Sequence, residues 1–352
     1  INAKNPIIWA GQGILYSGAT KELKELVELL QIPVLTTMQA KSAFDERHPL
    51  SLGSVNRTAP KTAWHWLKES DLILGIGTSW TKTTFAIDIP DGKFLIHNTN
   101  NLADISKEYK TDIGLLGDAK LTLQMLIDET RAQLGSTKRN NDSVIESIAI
   151  IKKEWNDEWS ELLNSDQTPI NPYRLINEIN KAVDHENTII THDAGHPRDQ
   201  IMPFYPATVP HSYIGWGKST HLGYGIGLAI GAKIAFPDKF CINFMGDAAF
   251  GMAGLDIETS VRSGNPITTI VLDNGTMGGY DHHQPLAMSK YGAGNMTGSY
   301  TTIAKGLGAV GIDVDKPEEI GPAIKAAEKA NKEGRSVLIN VKTQQEDKFS
   351  IY

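Results

Sequence analysis

Residues 240–274 read FCINFMGDAAFGMAGLDIETSVRSGNPITTIVLDN. Two short apolar runs within them, Phe240–Met245 and Ile267–Leu272, have the length and composition of strands, and Leu255–Ser263 between them has helical spacing. A strand, a helix and a second strand in so short a span specify a parallel pair joined by a crossover. Gly246-Asp247 then stands at the carboxyl end of one strand, and Asn274 stands at the carboxyl end of the next, 27 residues later. Open α/β sheets bind their ligands at that edge. A carboxylate, an amide oxygen and a loop carbonyl converging there are hard oxygen ligands of the kind Mg²⁺ or Ca²⁺ takes. Mg²⁺ usually keeps phosphate oxygens in its shell, so a diphosphate is the expected companion. Small residues at Ala248 and Ala249, beside a helix N-terminus, let backbone N–H groups approach the anion. A Gly-Asp pair alone marks many ordinary turns; the spaced pair is the discriminating feature.

The same alternation runs outward from this unit. Upstream lie a helix at Tyr173–Val183, with Asn171 as its cap and Pro172 in the first turn, a strand at Thr188–His192 and a helix at Gly223–Phe236. Downstream, past a glycine-rich loop, lie a helix at Tyr300–Leu307, a strand at Ala309–Val314, a helix at Pro317–Lys332 and a strand at Ser336–Val341. The first third repeats the pattern, with strands at Pro6–Ala10, Pro33–Thr37, Asp71–Gly77 and Phe94–Asn98. Its helices fall at Lys21–Leu30, Lys61–Lys68 and Asp118–Leu134. The fold class is therefore α/β: two doubly wound parallel-sheet domains joined by a helical linker. The expected domains are residues 1–134 and 169–345, with a linker and helix over 135–168 and a tail over 346–352. Trp155 and Trp159, at i and i+4 on the linker helix, read as core packing.

Composition narrows the function. The 352 residues carry 34 Lys and Arg against 41 Asp and Glu, a net charge of −7 that disfavours a general nucleic-acid or polybasic membrane surface. The single cysteine, Cys241, can form no intrachain disulfide and no Cys-rich zinc site, which suits a reducing compartment and a cytoplasmic location. No apolar run reaches the roughly 18 residues of a membrane span. The chain opens Ile-Asn-Ala-Lys-Asn-Pro without an initiator Met and runs at once into a strand, so it is expected to begin inside a longer gene product.

The segment Gly246-Asp247 to Asp273-Asn274, with Glu258-Thr259 on the intervening helix and Pro266 before the second strand, resembles the thiamine-diphosphate motif of pyruvate-oxidase-like and acetolactate-synthase-like enzymes. The family pattern closes on Asn-Asn, where this chain has Asp273-Asn274. The resemblance implies thiamine diphosphate and Mg²⁺ as cofactors, with Asp247 and Asn274 binding the metal by side chain and Thr276 by its carbonyl. Gly246, Ala248 and Ala249 belong to the same cofactor segment. It further implies that the segment Asp193-Ala194-Gly195-His196, just after a strand, meets the diphosphate from the other side. Leu222 would wedge beneath the bent cofactor, the Thr220 carbonyl would accept from the aminopyrimidine, and Met277 and Gly278 would line the pyrimidine. Ala10–Gly13 and Asp112–Lys120 resemble the central domain of the same enzymes. Some relatives hold FAD or ADP there; where they often carry an acid after the fourth strand, this chain reads Ile96-His97-Asn98-Thr99-Asn100-Asn101, which argues against a ribose contact and hence against FAD. Gly11-x-Gly13 without a third glycine reads more simply as a tight turn.

The implied activity is decarboxylation of a 2-oxo acid and transfer of the carbanion to an acceptor, as in acetolactate synthase. The alternative is an oxalyl-CoA decarboxylase or 2-hydroxyacyl-CoA lyase, suggested by the phrase Ala249–Thr259 and taking an acyl-CoA; an alternative of another class is a non-catalytic regulatory module. In the family an activating glutamate lies in an N-terminal pyrimidine-binding domain that this chain does not show, so a preceding domain or a separate subunit is the expected partner, with a homodimer or tetramer implied. No catalytic residue is assigned; His196 and His221 are the nearest candidates, ahead of His282 and His283, which read equally as exposed loop histidines.

Overall fold

Every residue of the strands Pro6–Ala10, Thr188–His192 and Thr268–Asp273 is buried, as expected where helices cover both faces of a parallel sheet. The computed structural model describes residues 2–135, 141–216 and 221–352. In the first part, β1 (Pro6–Ala10), β2 (Val34–Thr37), β3 (Ser51–Val55), β4 (Leu72–Ile76), β5 (Phe94–Thr99) and β6 (Ile113–Leu116) form a six-stranded sheet ordered β3-β2-β1-β4-β5-β6. All its pairings are parallel, and the order is that of a doubly wound dinucleotide-binding sheet. The second part builds a six-stranded parallel sheet from β7 (Thr188–His192), β8 (Tyr213–Ile214), β9 (Phe240–Gly246), β10 (Thr268–Asp273), β11 (Val310–Val314) and β12 (Val337–Lys342). Its order, β11-β12-β10-β9-β7-β8, sets β7, β9 and β10 side by side, so their carboxyl ends form one continuous edge.

Some elements escape the periodicity. β3 is interrupted by Gly53, and β6 is an edge strand with Ile113 and Leu116 largely exposed, so neither shows the buried run of a central strand. Pro197 and Pro203 mask a helix over His196–Phe204, although Pro197 lies in the first turn, where its missing N–H costs little. The crossover between β9 and β10 is two helices, Asp247–Ala253 and Ile257–Arg262, and the glycine-rich loop contains short helices at Tyr280–His283 and Pro285–Tyr291.

The connecting helix Asp142–Leu163 presents Trp155 and Trp159 to the second sheet's helices. Trp155 stacks on Phe204 at 4.6 Å, and Trp159 meets Phe204 and Tyr173 edge-on at 4.9 and 4.8 Å. The tail folds back across this junction. Ser350 is fully buried, exchanges hydrogen bonds with the Ala59 backbone and accepts from Trp155 Nε1.

A buried ion pair of the first part also reaches the junction. Lys41 Nζ lies 2.5 Å from Glu46, whose carboxylate accepts from Ser54 Oγ and, in the second part, from the Ala207 N–H. Burial pushes the Lys41 ammonium down while Glu46 opposes that shift. Such a pair adds little net stability, but removing one partner strands the other. Lys41→Met is therefore expected to destabilise the protein by about 3–5 kcal/mol in urea denaturation, and the double variant Lys41→Met/Glu46→Leu by clearly less. Equal losses would mean that the charges do not depend on each other.

Candidate functional site

Parallel pairing of β9 with β10 sets Gly246 opposite Leu272, which brings the two strand exits together. Asp247 begins a helix directly off β9 and is almost fully buried. Its Oδ1 accepts from its neighbour Ala248 N–H at 2.7 Å, and its Oδ2 accepts from Gly275 N–H at 2.8 Å. The second bond ties together the two halves of the spaced motif. Asn274 Oδ1 accepts from Thr276 N–H at 3.0 Å, which folds the exit of β10 into a tight Asx turn. Thr276 is paired with Asn295 and Met277 N–H with the Gly294 carbonyl, so the loop returns along its own exit.

The electrostatics are unusual for a strand end. Burial pushes the Asp247 carboxyl up to about 6, against the N–H bonds that favour its charged form, with Asp273 adding repulsion. Asp273 has its own cation in Lys342. Among the described residues no cationic side chain forms an ion pair with Asp247, nor do three His, Cys, Asp or Glu side chains gather anywhere as a metal cage. One buried carboxylate, one amide and loop carbonyls can hold a divalent ion only if further oxygens arrive with a ligand.

The neighbouring exit, from β7, supplies the opposite wall. Gly195 is exposed, has φ of +84° and leads into the helix His196–Phe204, whose first turn faces this edge. The His196 ring lies against the backbone of Gly278, where an added Cβ would come within 2.7 Å of the ring, and 5.1 Å from the Phe349 ring of the tail. His196, Gly278 and the Asp247–Gly275 pair thus belong to one surface. Ala194 is buried behind it, and Gly246 and Ala248 are half-buried within it. Ala249 points into the core with Phe250.

Asp193, which opens the segment Asp193–His196, is the residue that organises this wall. Fully buried, it accepts from Gly223 N–H at 2.9 Å, from Gly225 N–H at 3.3 Å and from Ala194 N–H at 2.9 Å. Burial raises its carboxyl and these bonds oppose the rise. It thereby locks the segment after residue 221 onto the end of β7. The available signal was a strand-terminal acid followed by a distant glycine pair, which has no fixed spacing. Leu222 is half-buried beside the core of this face, and His221 is exposed. Thr220 lies outside the described residues. His282 and His283 are exposed, on a helix next to the loop.

His192, at the end of β7, is fully buried and held neutral. Burial drives its pKa down to about 3, with Nδ1 3.2 Å from Tyr224 Oη and Arg198 adding repulsion. Arg198 in turn pairs with Asp199 at 2.7 Å and lies 4.9 Å over the Phe85 ring of the first part. Because its folded pKa lies below the unfolded value, the unfolded chain takes up the proton first. The stability this histidine protects is complete above about pH 6.5 and is lost as pH falls toward 3. His192→Asn should flatten the acid limb of the stability profile over that window. An unchanged slope in pH-dependent urea melts would show that His192 is not a buried neutral group.

Residues 1–126 match the family model described as thiamine pyrophosphate enzyme, central domain, and residues 193–341 match thiamine pyrophosphate enzyme, C-terminal TPP binding domain. A probable acetolactate synthase large subunit of Methanococcus aeolicus is 33% identical over 341 residues, covering 93% of this chain and 56% of that protein. A sulfoacetaldehyde acetyltransferase of Alcaligenes xylosoxydans xylosoxydans is 28% identical, over 96% of this chain and 60% of its own length. The 2-hydroxyacyl-CoA lyase 1 of Dictyostelium discoideum is 28% identical, over 82% of this chain and 52% of its own length. The chain spans little more than half the length of these curated relatives. Among the described residues, no helix is long and apolar enough to cross a membrane.

Proposed function

We propose, from the premise that this chain belongs to the thiamine pyrophosphate enzyme family, that it supplies the diphosphate-binding half of an acetolactate-synthase-like active site acting on a 2-oxo acid. The observation that carries the reading is the buried Asp247 carboxylate, bound to Gly275 N–H beside Asn274 and, among the described residues, without a cation of its own. The residues fit the group: a divalent ion would neutralise Asp247, and a diphosphate would complete its shell.

In this reading Asp247 and Asn274 hold Mg²⁺ by side chain and Thr276 by its carbonyl. The first turn of His196–Phe204, entered through Ala194 and Gly195, meets the diphosphate from the side of β7 with backbone donors. Gly246 and Ala248 keep the approach narrow. Leu222, Thr220, Met277 and Gly278 would shape the space for the rest of the cofactor, and Asp193 positions that wall by fixing Gly223. Bound thiamine diphosphate supplies the electron sink for decarboxylation and C–C bond formation. The chain's contribution is to hold it, orient it and keep water from the reacting face.

Gly195 and Gly278 are exposed, so this edge offers an open surface to an opposing wall. We assign that wall, and the glutamate that activates the cofactor, to a pyrimidine-binding domain outside this chain, brought by a preceding segment or by a partner subunit in an oligomer. His196 and His221 stand beside the site as the nearest proton-handling candidates. The location proposed is cytoplasmic. An acyl-CoA substrate draws no support from residues 346–352, which carry two acids and one lysine and are pinned to Ala59 and Trp155 through Ser350.

Calorimetric titration of the chain with thiamine diphosphate, with and without Mg²⁺, tests the site. Binding is expected to require Mg²⁺ and to weaken by at least about a hundredfold in Asp247→Ala, beyond what loss of a residue behind a ligand costs. Metal-independent binding, or an Asp247→Ala variant that binds like wild type, would sink the assignment. In a separate assay the chain alone should release no CO₂ from pyruvate at saturating cofactor. Robust turnover would place the activating group within these 352 residues.

A further inference from the structure

The helix His196–Phe204 is buried from its second residue to its last, so its place at the sheet edge is set by what packs around it. Two of the contacts on its first turn come from the second part of the chain. Pro197 lies against the exit of β9, where a Cβ added to Gly246 would stand 3.7 Å from the Pro197 ring, and the His196 ring covers Gly278. The residue before Asp247 and the loop after Asn274 therefore both touch this turn. A third contact comes from the first part. β3 lies alongside the helix, and Phe85, in the loop between β4 and β5, places its ring centre 4.9 Å from the guanidinium carbon of Arg198.

Arg198 is the third residue of the helix and 1% exposed. A guanidinium taken out of water needs its charge balanced and its N–H groups met. Asp199 balances the charge, accepting from Nε at 2.7 Å and from Nη2 at 3.1 Å. Nη1 is buried and has no hydrogen-bond acceptor among the described residues. The Phe85 ring supplies the compensation: its face attracts the cation, most strongly where water is excluded. An aliphatic side chain at position 85 would fill space and offer no such face.

The pair is anchored to the turn it serves. Asp199 N–H donates to the Gly195 carbonyl at 3.2 Å, so a shift of the Arg198–Asp199 pair is a shift of the backbone that enters the helix. The Arg198 charge also reaches the end of β7, where it adds to the burial that keeps His192 neutral.

We infer that Phe85 and Arg198 are positioning residues for the diphosphate: by holding the Arg198 guanidinium against the Phe85 ring, the first part of the chain sets the turn Gly195–Asp199 in place beside Asp247. Both act through the backbone of that turn, without touching the cofactor. The inference rests on the reading of this edge as a thiamine diphosphate site, and it gives the first part a role in a site built on the other sheet.

Phe85 carries the test, because removing Arg198 would strand Asp199 in the interior. Calorimetric titration of the whole chain with thiamine diphosphate in Mg²⁺ is expected to show affinity about three- to tenfold lower in Phe85→Leu, which keeps the apolar bulk, and wild-type affinity in Phe85→Tyr, which keeps the ring. Hydrogen exchange on the cofactor-free proteins reads the same contact without the cofactor: the amides of residues 198–202 should exchange faster in Phe85→Leu and at the wild-type rate in Phe85→Tyr, while those of β9 and β10 stay unchanged. Should Phe85→Leu not fold, Phe85→Met gives the same comparison. Binding by wild type that Phe85→Leu matches would overturn this inference and leave the site assignment standing. Equal losses in Phe85→Leu and Phe85→Tyr would also overturn it, since the shape of the side chain and not its ring face would then be what holds the turn. A wild-type chain that does not bind the cofactor would overturn the site assignment and this inference with it.

Discussion

A hydrogen bond of 2.8 Å between the Gly275 N–H and Asp247 Oδ2 fixes the chemical edge of the second sheet. Register alone brings the exits of β9 and β10 level, but level exits can diverge. This bond, with the Asn274 turn beside it, forces the second loop to bend over the first. The cost is a buried carboxylate whose two N–H donors do not cancel its charge, because the adjacent lysine, Lys342, is committed to Asp273. A protein tolerates such a group where a counter-charge arrives with function.

The exit of β7 is governed by a second buried carboxylate with the opposite logic. Asp193 is satisfied by backbone N–H groups from three residues and so serves geometry. Two buried acids on one sheet edge therefore differ in purpose by their partners. Strand order makes them cooperate: β7, β9 and β10 are consecutive, so the wall shaped by Asp193 and the carboxylate at Asp247 face one space. The aromatic junction of Trp155, Trp159, Tyr173 and Phe204 holds the helix that leads out of this wall, which couples the site to the first part of the chain.

Much of this was legible from residues alone. Buried parallel strands are runs of β-branched and aliphatic residues, and β1, β7, β9, β10 and β12 stand out for that reason. Edge and interrupted strands do not, which hid β6 and β3. Prolines hid the helix at His196 because a pattern rule treats them as breakers, although the first turn tolerates them. The spaced Asp247 and Asn274 were visible because both come from one strand-helix-strand unit, where chain distance fixes spatial distance. Asp193 with Gly223, Glu46 with Ala207, and Ser350 with Ala59 pair residues 30, 161 and 291 positions apart, and nothing in local sequence encodes such closures.

Topology is equally poor at choosing a ligand. The two sheets share one architecture and use the same carboxyl edge, yet their electrostatics diverge. At the second edge a buried anion has no cationic side chain paired with it among the described residues, which suits a positive partner that brings its own oxygens. At the first edge no Lys, Arg or His among the described residues lines the cavity there, and Gly11 and Gly13 close their N–H groups on the neighbouring strand's carbonyls. A glycine-rich turn after the first strand is thus no evidence for a phosphate until its amides are shown to be free. Here Gly11 and Gly13 are small so that two backbone turns can touch.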